Sequence, residues 1–436
     1  MIYRKYDYDV TIIGAGISGL VCGCYLAKAG LKTLIVEKNA NVGGYCTSFT
    51  RKGFHFDSCV HALSSLREGG LLNKILGELG VTDELKFRRH NPSDVVITPE
   101  LRINIFYEVE RTIEEFQKYF PKEKGNISKF FKYISSSPFL EIRVKTFEQL
   151  LDSFFKDKKL KAIFSIIMMQ VLGLPPFKLS AVVACLLYRE FIFDGGYYPK
   201  GGMQNFSNVL AKRFIELQGC IISFKKVKKI RIDKNDVDGV VLEDGQYITS
   251  KMVVAACDAR QTFFELIGQD KISADFVSKI NTRIVSSSGF FVYLGIDKKE
   301  IAPSLEANIY LITDYDIEKV WANFLNCKVD HLIIASSSAR DNFLRDVNGK
   351  MSILVGTNMA YKSEDYWKGE KNKEKIADRL IKIAKQANPN LFASIAMRIL
   401  ATPLTLYKWT GNYHGAALVG QALLSSLAIQ IFLKRQ

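Results

Sequence analysis

Five glycines, Gly14, Gly16, Gly19, Gly43 and Gly44, surround one acid, Glu37, in the stretch VTIIGAGISGLVCGCYLAKAGLKTLIVEKNANVGG (residues 10–44). A glycine inside a helix or strand costs about 0.5–1 kcal/mol relative to alanine. Such a density therefore marks a place where something approaches the backbone closely. The chemistry that demands this is binding of a pyrophosphate-linked dinucleotide. Gly14 permits a tight turn, Gly16 lets the backbone approach a pyrophosphate, and Gly19 allows a helix to pack closely on a strand. Ala15 and Ser18 belong to the same turn. The N-terminus of the following helix offers unpaired N–H groups and a partial positive charge to phosphate. Glu37, followed by Lys38, is placed to accept hydrogen bonds from ribose hydroxyls, and an acid there disfavours a 2′-phosphate.

The elements that must hold these residues are legible around them. Tyr8 to Ile13 is an apolar run of the kind that forms a buried parallel strand. Ile17 to Ala29 reads as a helix with Leu20, Cys24 and Ala27 on one face and Gly30 as its stop. Leu31 to Val36 reads as a second buried strand, with Glu37 at its carboxyl end. The unit is βαβ, with G-x-G-x-x-G at its first turn.

The acid is followed six and seven residues later by Gly43-Gly44, and then by CTSFTRKGFHFD (residues 46–57). This extended string resembles the FAD signature of the flavin amine oxidase and phytoene desaturase superfamily. It is most similar to the phytoene desaturase-like branch, which includes carotenoid isomerases and retinol saturases. The resemblance implies FAD as cofactor, with Gly43 and Gly44 beside its pyrophosphate. It implies that Val227, in the first strand of a later meander, supports the adenine side. It implies that Cys257, in the turn Ala256-Cys-Asp-Ala-Arg260, lies beside the cofactor. Asp57 and His61 stand where the branch has F-D-x-G-x-H. They are candidates to face the flavin, the alternative being that they stabilise their loop. Cys59 replaces the family's glycine.

Composition narrows the partners. The 436 residues carry 60 Lys and Arg against 45 Asp and Glu, a net charge of +15. Such a balance serves solubility, or attraction to an anionic membrane surface. Nucleic-acid binding is not expected, because no RNP, zinc-finger or helix-turn-helix pattern is present. The eight cysteines form no C-x-x-C, and the five histidines do not cluster with them. We expect free thiols in a reducing cytoplasm and no metal site. The first strand begins within a few residues of Met1, leaving no room for a signal peptide.

Farther along, Thr112 with Glu115 reads as a capping box for a helix ending at Pro121. Residues 162–177 and 179–187 are apolar but shorter than a spanning helix. They read as two buried helices, or as a surface dipping into one leaflet. Gln204 to Leu217 reads as a helix. Ile230, Ile232, Val240 and Leu242, around Asp233 to Asp236, read as a hairpin. Met252 to Ala256 reads as a buried strand. Strands are expected near 286–294, 307–312, 331–336 and 351–356, and an amphipathic helix over 373–387.

The expected fold is α/β: a doubly wound, Rossmann-like FAD-binding domain (1–95, 200–270 and 400–436) interleaved with an α+β substrate domain (96–199 and 271–399). The resemblance implies an oxidoreductase that transfers hydride to or from flavin on an apolar polyene or isoprenoid. Two alternatives stand beside it, a flavin amine oxidase-like enzyme and a non-catalytic lipid-binding protein on the same scaffold. The expected location is cytoplasmic or peripheral on a membrane face. Residues 402–415 still resemble the family's T-P-x-T…T-x-N-x-x-G segment, but the family's last glycine-rich FAD motif does not follow. Residues 416–436 read as a tail anchor ending in Lys434-Arg435, as a divergent helix, or as the product of a slipped reading frame.

Overall fold

The computed structural model describes residues 6–136, 140–233, 236–283, 285–297, 305–341, 344, 350–417 and 430–432. Two seven-stranded sheets organise them. In the first, Tyr247–Ala255, Tyr8–Ile13, Thr33–Val36 and Cys220–Ile222 run parallel side by side. These strands are apolar on both faces because both are covered. Helix Ile17–Lys28, with its buried Leu20 and Cys24, and helix Gly202–Glu216 pack on one face. The other face meets Val227, Ile230, Phe263 and Leu266. The hairpin Val227–Asp233 and Asp236–Leu242 continues the sheet antiparallel beyond Tyr247–Ala255.

The second sheet runs in the order Ile395–Ala401, Ser288–Ile296, Met351–Met359, His331–Ala335, Asn308–Ile312, Asp94–Ile97 and Arg102–Ile105. Side chains alternate across a strand, and here both faces are dry. Tyr293, Tyr310, Ile333 and Leu354 join one apolar cluster, together with the helices of residues 109–192. Their neighbours Val292, Leu294, Ile309, Leu311, Ile334 and Val355 join another, under helix Glu370–Ala384. The chain crosses between the sheets repeatedly, since residues 8–36 and 220–255 serve the first and residues 94–105 and 288–401 the second.

The apolar stretches of the middle third form helices Lys158–Leu172 and Ala181–Leu187. Gly173, at φ 65°, ends the first. Met168 and Met169 lie in the core. Among the described residues no helix is long and apolar enough to cross a membrane. Thr112 is not a helix cap. Helix Val109–Tyr119 starts three residues earlier, and Thr112 Oγ1 both donates to Phe106 O and accepts from Phe106 N, each at 2.8 Å. A hydroxyl inside a first turn can tie back to the incoming chain, and the sequence pattern cannot separate that from a cap. The readings of the C-terminal tail fall mainly on residues outside those described. At Gln430–Phe432 the backbone is a strand antiparallel to Tyr247–Ala255, not a helix.

Phe164 is fully buried, with its ring 4.9 Å from Phe116, 5.0 Å from Phe130 and 5.5 Å from Phe155. Phe164→Ala is expected to cost about 3–5 kcal/mol, read as a fall in the denaturant midpoint. A loss below about 1 kcal/mol would contradict this packing.

Candidate functional site: a nucleotide cradle closed by a C-terminal strap

Gly14 sits where the two central parallel strands end. Its φ is 103°, and a Cβ there would lie 2.9 Å from Ala256 O. Its N–H donates to Val36 O at 2.8 Å. Gly19 is required by packing alone, since a Cβ there would lie 2.0 Å from Gly14 O. Gly43, at φ 117°, donates to Ala15 O at 2.8 Å, and a Cβ on it would strike Cys46 O and Ser207 Oγ at 2.6 Å. Gly16 is different. Its φ of −65° and ψ of 172° suit any residue, and a Cβ there would meet nothing within 4 Å. The protein's own packing does not ask for a glycine at 16. The space it leaves opens into a cavity.

That cavity measures about 290 Å³ and is lined by Gly14, Gly16, Ser18, Glu37, Lys38, Gly43, Gly44, Val227 and Cys257, among others. The glycine-turn spacing had marked those from Gly14 to Gly44, and the family resemblance implied Val227 and Cys257. Ala15 and Gly19, marked with them, do not line it; Ala15 is fully buried and acts through its N–H. Glu37 is 6 % exposed. Its Oε2 accepts from Ala15 N and its Oε1 from Asn39 N, each at 2.8 Å. The carboxylate therefore holds the glycine turn as well as facing the cavity, a second task that the spacing alone did not reveal. Burial pulls the Lys38 ammonium pKa down, partly offset by Glu37. Burial pushes the Cys257 thiol up to about 11, and its Sγ lies 3.3 Å from Thr262 Oγ1, so it is a neutral wall and not a nucleophile.

Several lining residues escaped sequence reasoning: Tyr45, Gln261, Trp409, Thr410 and Asn412. The last three belong to a strap, residues 402–417, that borders the cavity. Thr402 caps helix Pro403–Thr410 reciprocally with Thr405. Asn39 Nδ2 donates to Trp409 O at 3.3 Å. Tyr413 N donates to Asp258 Oδ2 at 3.2 Å, while Asp258 Oδ1 accepts from Arg260 N at 2.8 Å. Tyr45 Oη donates to Ala416 O at 2.8 Å, and Ser288 Oγ to Gly415 O at 2.7 Å. The signal available was the T-x-N-x-x-G spacing, but its closeness to Glu37 is a long-range fact.

Asp57 and His61 stand away from this cavity. Asp57, 5 % exposed, accepts from Ser48 Oγ at 2.8 Å, Met203 N at 3.3 Å and Tyr198 Oη at 2.5 Å. Burial raises its pKa. These bonds tie the 48–57 hairpin to helix Gly202–Glu216. His61 Nδ1 donates to Cys59 O at 2.7 Å, and His61 O accepts from Arg340. Both residues have structural partners that account for them. Cys59 is not among the residues with positive φ, so its loop does not require the family's glycine.

Two predictions follow from these contacts. In nucleotide-free protein, Gly19→Ala should unfold the chain or lower its melting temperature steeply, whereas Gly16→Ala should cost less than about 1 kcal/mol; equal losses would contradict the geometry. The second concerns acid. Burial, with repulsion from Arg340, holds the pKa of His61 down to about 4 and that of His90 to about 3, from 6.5. Both are neutral when folded at pH 7, and the unfolded chain takes up their protons near 6.5. Their contribution to stability is therefore complete above pH 6.5 and is lost progressively as pH falls from there through 4 for His61 and 3 for His90. The melting temperature should decline from pH 6.5 downward, less steeply in His90→Asn; a flat profile to pH 4 would contradict it.

Residues 17–264, more than half of the chain, match the model of a family described as flavin containing amine oxidoreductase. The chain is 25 % identical to the prolycopene isomerase of Daucus carota, covering 94 % of this chain and 72 % of that protein. It is 24 % identical to the all-trans-retinol 13,14-reductase of Danio rerio, covering 85 % and 69 %. An oxidoreductase from Methanosarcina mazei shares the fold, with a TM-score of 0.68 at 18 % identity over 90 % of this chain and 87 % of that one. With a glycine turn that opens onto a cavity, an acid that holds it and a strap that closes it, the chain belongs to the flavin containing amine oxidoreductase family and is a flavin-dependent oxidoreductase.

Proposed function

We propose that the flavin is FAD and that the substrate is an apolar polyene or isoprenoid, to or from which hydride is moved. The observation that carries the cofactor assignment is the open space beside Gly16, a position where the protein's own packing would tolerate a side chain. In this reading Gly16, Ser18 and the N-terminus of helix Ile17–Lys28 receive the pyrophosphate. Glu37 keeps lone pairs for the adenosine ribose while holding Ala15 N. Val227 and Cys257 flank the adenine side, and Gly43 with Gly44 runs beside the pyrophosphate toward the ring. FAD would supply the hydride-accepting or hydride-donating centre. The chain's own residues bind, orient and exclude water. The strap, with Trp409, Thr410 and Asn412 against the cavity, keeps solvent from the cofactor.

The substrate class is supported by the names of the two relatives, which act on a carotenoid and a retinoid. We assign catalysis to no acid or base, because Asp57 and His61 are held by structural partners. The strand membership of the two sheets supports a division into interleaved domains. The net charge of +15 supports peripheral contact with an anionic membrane.

The test is the absorbance spectrum and released cofactor of protein purified by gel filtration, followed by anaerobic addition of all-trans polyenes. Bound FAD and a change in its redox state on adding a polyene support the reading. A colourless protein would overturn the cofactor, and FAD that responds only to amines would overturn the substrate class. Glu37→Ala should lower FAD occupancy at least tenfold. It should also cost about 1–3 kcal/mol, because Ala15 N–H loses its buried acceptor; unchanged occupancy would contradict the site.

A further inference from the structure

A second cavity, of about 240 Å³, shares no lining residue with the nucleotide cradle. It is built where strand Phe87–Arg89 pairs with Tyr197–Pro199, next to Arg340 and Asp341. Among the described residues that line it, Lys86, Arg88, Lys200 and Arg340 are cationic and Asp341 is acidic. The ladder itself brings two of them together, since Lys200 N donates to Lys86 O at 2.8 Å. Arg88 is bridged by Nη2 to both oxygens of Glu306 at 2.9 Å. Asp341 Oδ2 accepts from Gly201 N at 2.6 Å.

Arg340 is the unusual member. It is 3 % exposed, yet its bonded partners are all neutral: Nε donates to Glu306 O at 3.0 Å, and Nη1 and Nη2 donate to His61 O and Asn308 Oδ1. Among the described residues no carboxylate pairs with it directly. The nearest compensation is one amide away, where Asn308 Nδ2 donates to Asp94 Oδ1 at 2.8 Å. A guanidinium carries five N–H groups, so these three bonds leave donors unused in a residue that lines the cavity. Burying a charge is costly unless it is paired, and here Asp94 answers the guanidinium only through Asn308. A guanidinium fork matches phosphate oxygens.

We propose that this cavity binds a phosphate-bearing ligand, either free or as a lipid headgroup. Its oxygens are received by Arg340 at the floor and by Lys86 and Arg88 at the rim. The site is independent of the FAD reading. The experiment uses flavin-loaded protein, so that the phosphate-binding turn at Gly16 is already filled. Inorganic pyrophosphate is titrated calorimetrically. In parallel, the protein is pelleted with phosphatidylcholine vesicles with and without phosphatidic acid. The expected result is saturable pyrophosphate binding, weakened at least tenfold in Arg340→Gln and at least threefold in Lys86→Ala, and unchanged in Lys382→Ala on the distant helix Glu370–Ala384. If pyrophosphate is silent but pelleting with phosphatidic acid is lost in Lys86→Ala and kept in Lys382→Ala, the phosphate belongs to a lipid. If Arg340→Gln does not fold, Lys86→Ala and Arg88→Ala decide. Binding of neither probe, or binding that is equal in all variants, overturns the proposal.

Discussion

The bond between the Glu37 carboxylate and the N–H of Ala15 spans the whole βαβ unit. It joins the end of strand Thr33–Val36 to the turn that leaves strand Tyr8–Ile13. A charged acceptor in a buried site makes a short, strong hydrogen bond. This one fixes the turn at the height where Gly14 packs under Ala256 and where Ala15 O can take the N–H of Gly43. The cradle, the Gly43-Gly44 segment and the strap across them all rest on that fixed turn. Glu37 is thereby both part of the scaffold and a wall of the cavity.

From this point the structure reads outward. The parallel strands end together because Gly14 closes the central pair. The hairpin beginning at Val227 forms one side of the cavity, reached through Lys225 N bonded to Glu37 O at 2.9 Å. The strap closes the other side through Asp258, Tyr45, Asn39 and Ser288, four contacts drawn from distant parts of the chain. The second sheet, apolar on both faces, supplies Ser288 and a rigid wall behind the strap.

The local parts were legible in the sequence because they depend on local rules. The glycine spacing, the period of helix Ile17–Lys28 and the Asp-rich turn before Asp236–Leu242 each announce one element. The edges were readable where a glycine enforces them, as Gly30 does at φ 83° just past helix Ile17–Lys28. What escaped were roles fixed by distant partners. Thr112 looks like a cap until Phe106 claims its hydroxyl. Asp57 could face the flavin or stabilise its loop as far as spacing tells, and only the fold shows Tyr198, Ser48 and Met203 at its oxygens. Trp409 and Asn412 carry no local mark of their nearness to Lys38 and Asn39. Nor could spacing separate Gly16 from Gly19: one is a glycine for a ligand, the other for its own backbone, and only the surrounding space tells them apart.

Trp409 offers the most direct measurement, since it lines the cavity while Trp321 and Trp367, the other two tryptophans, pack in other clusters. Apoprotein is titrated with FAD while tryptophan emission is followed, in wild-type protein and in Trp409→Phe. The account predicts saturable quenching at one FAD per chain, most of it lost in Trp409→Phe although FAD still binds. Quenching that does not saturate, or that persists unchanged without Trp409, would contradict a cofactor held between the glycine turn and the strap.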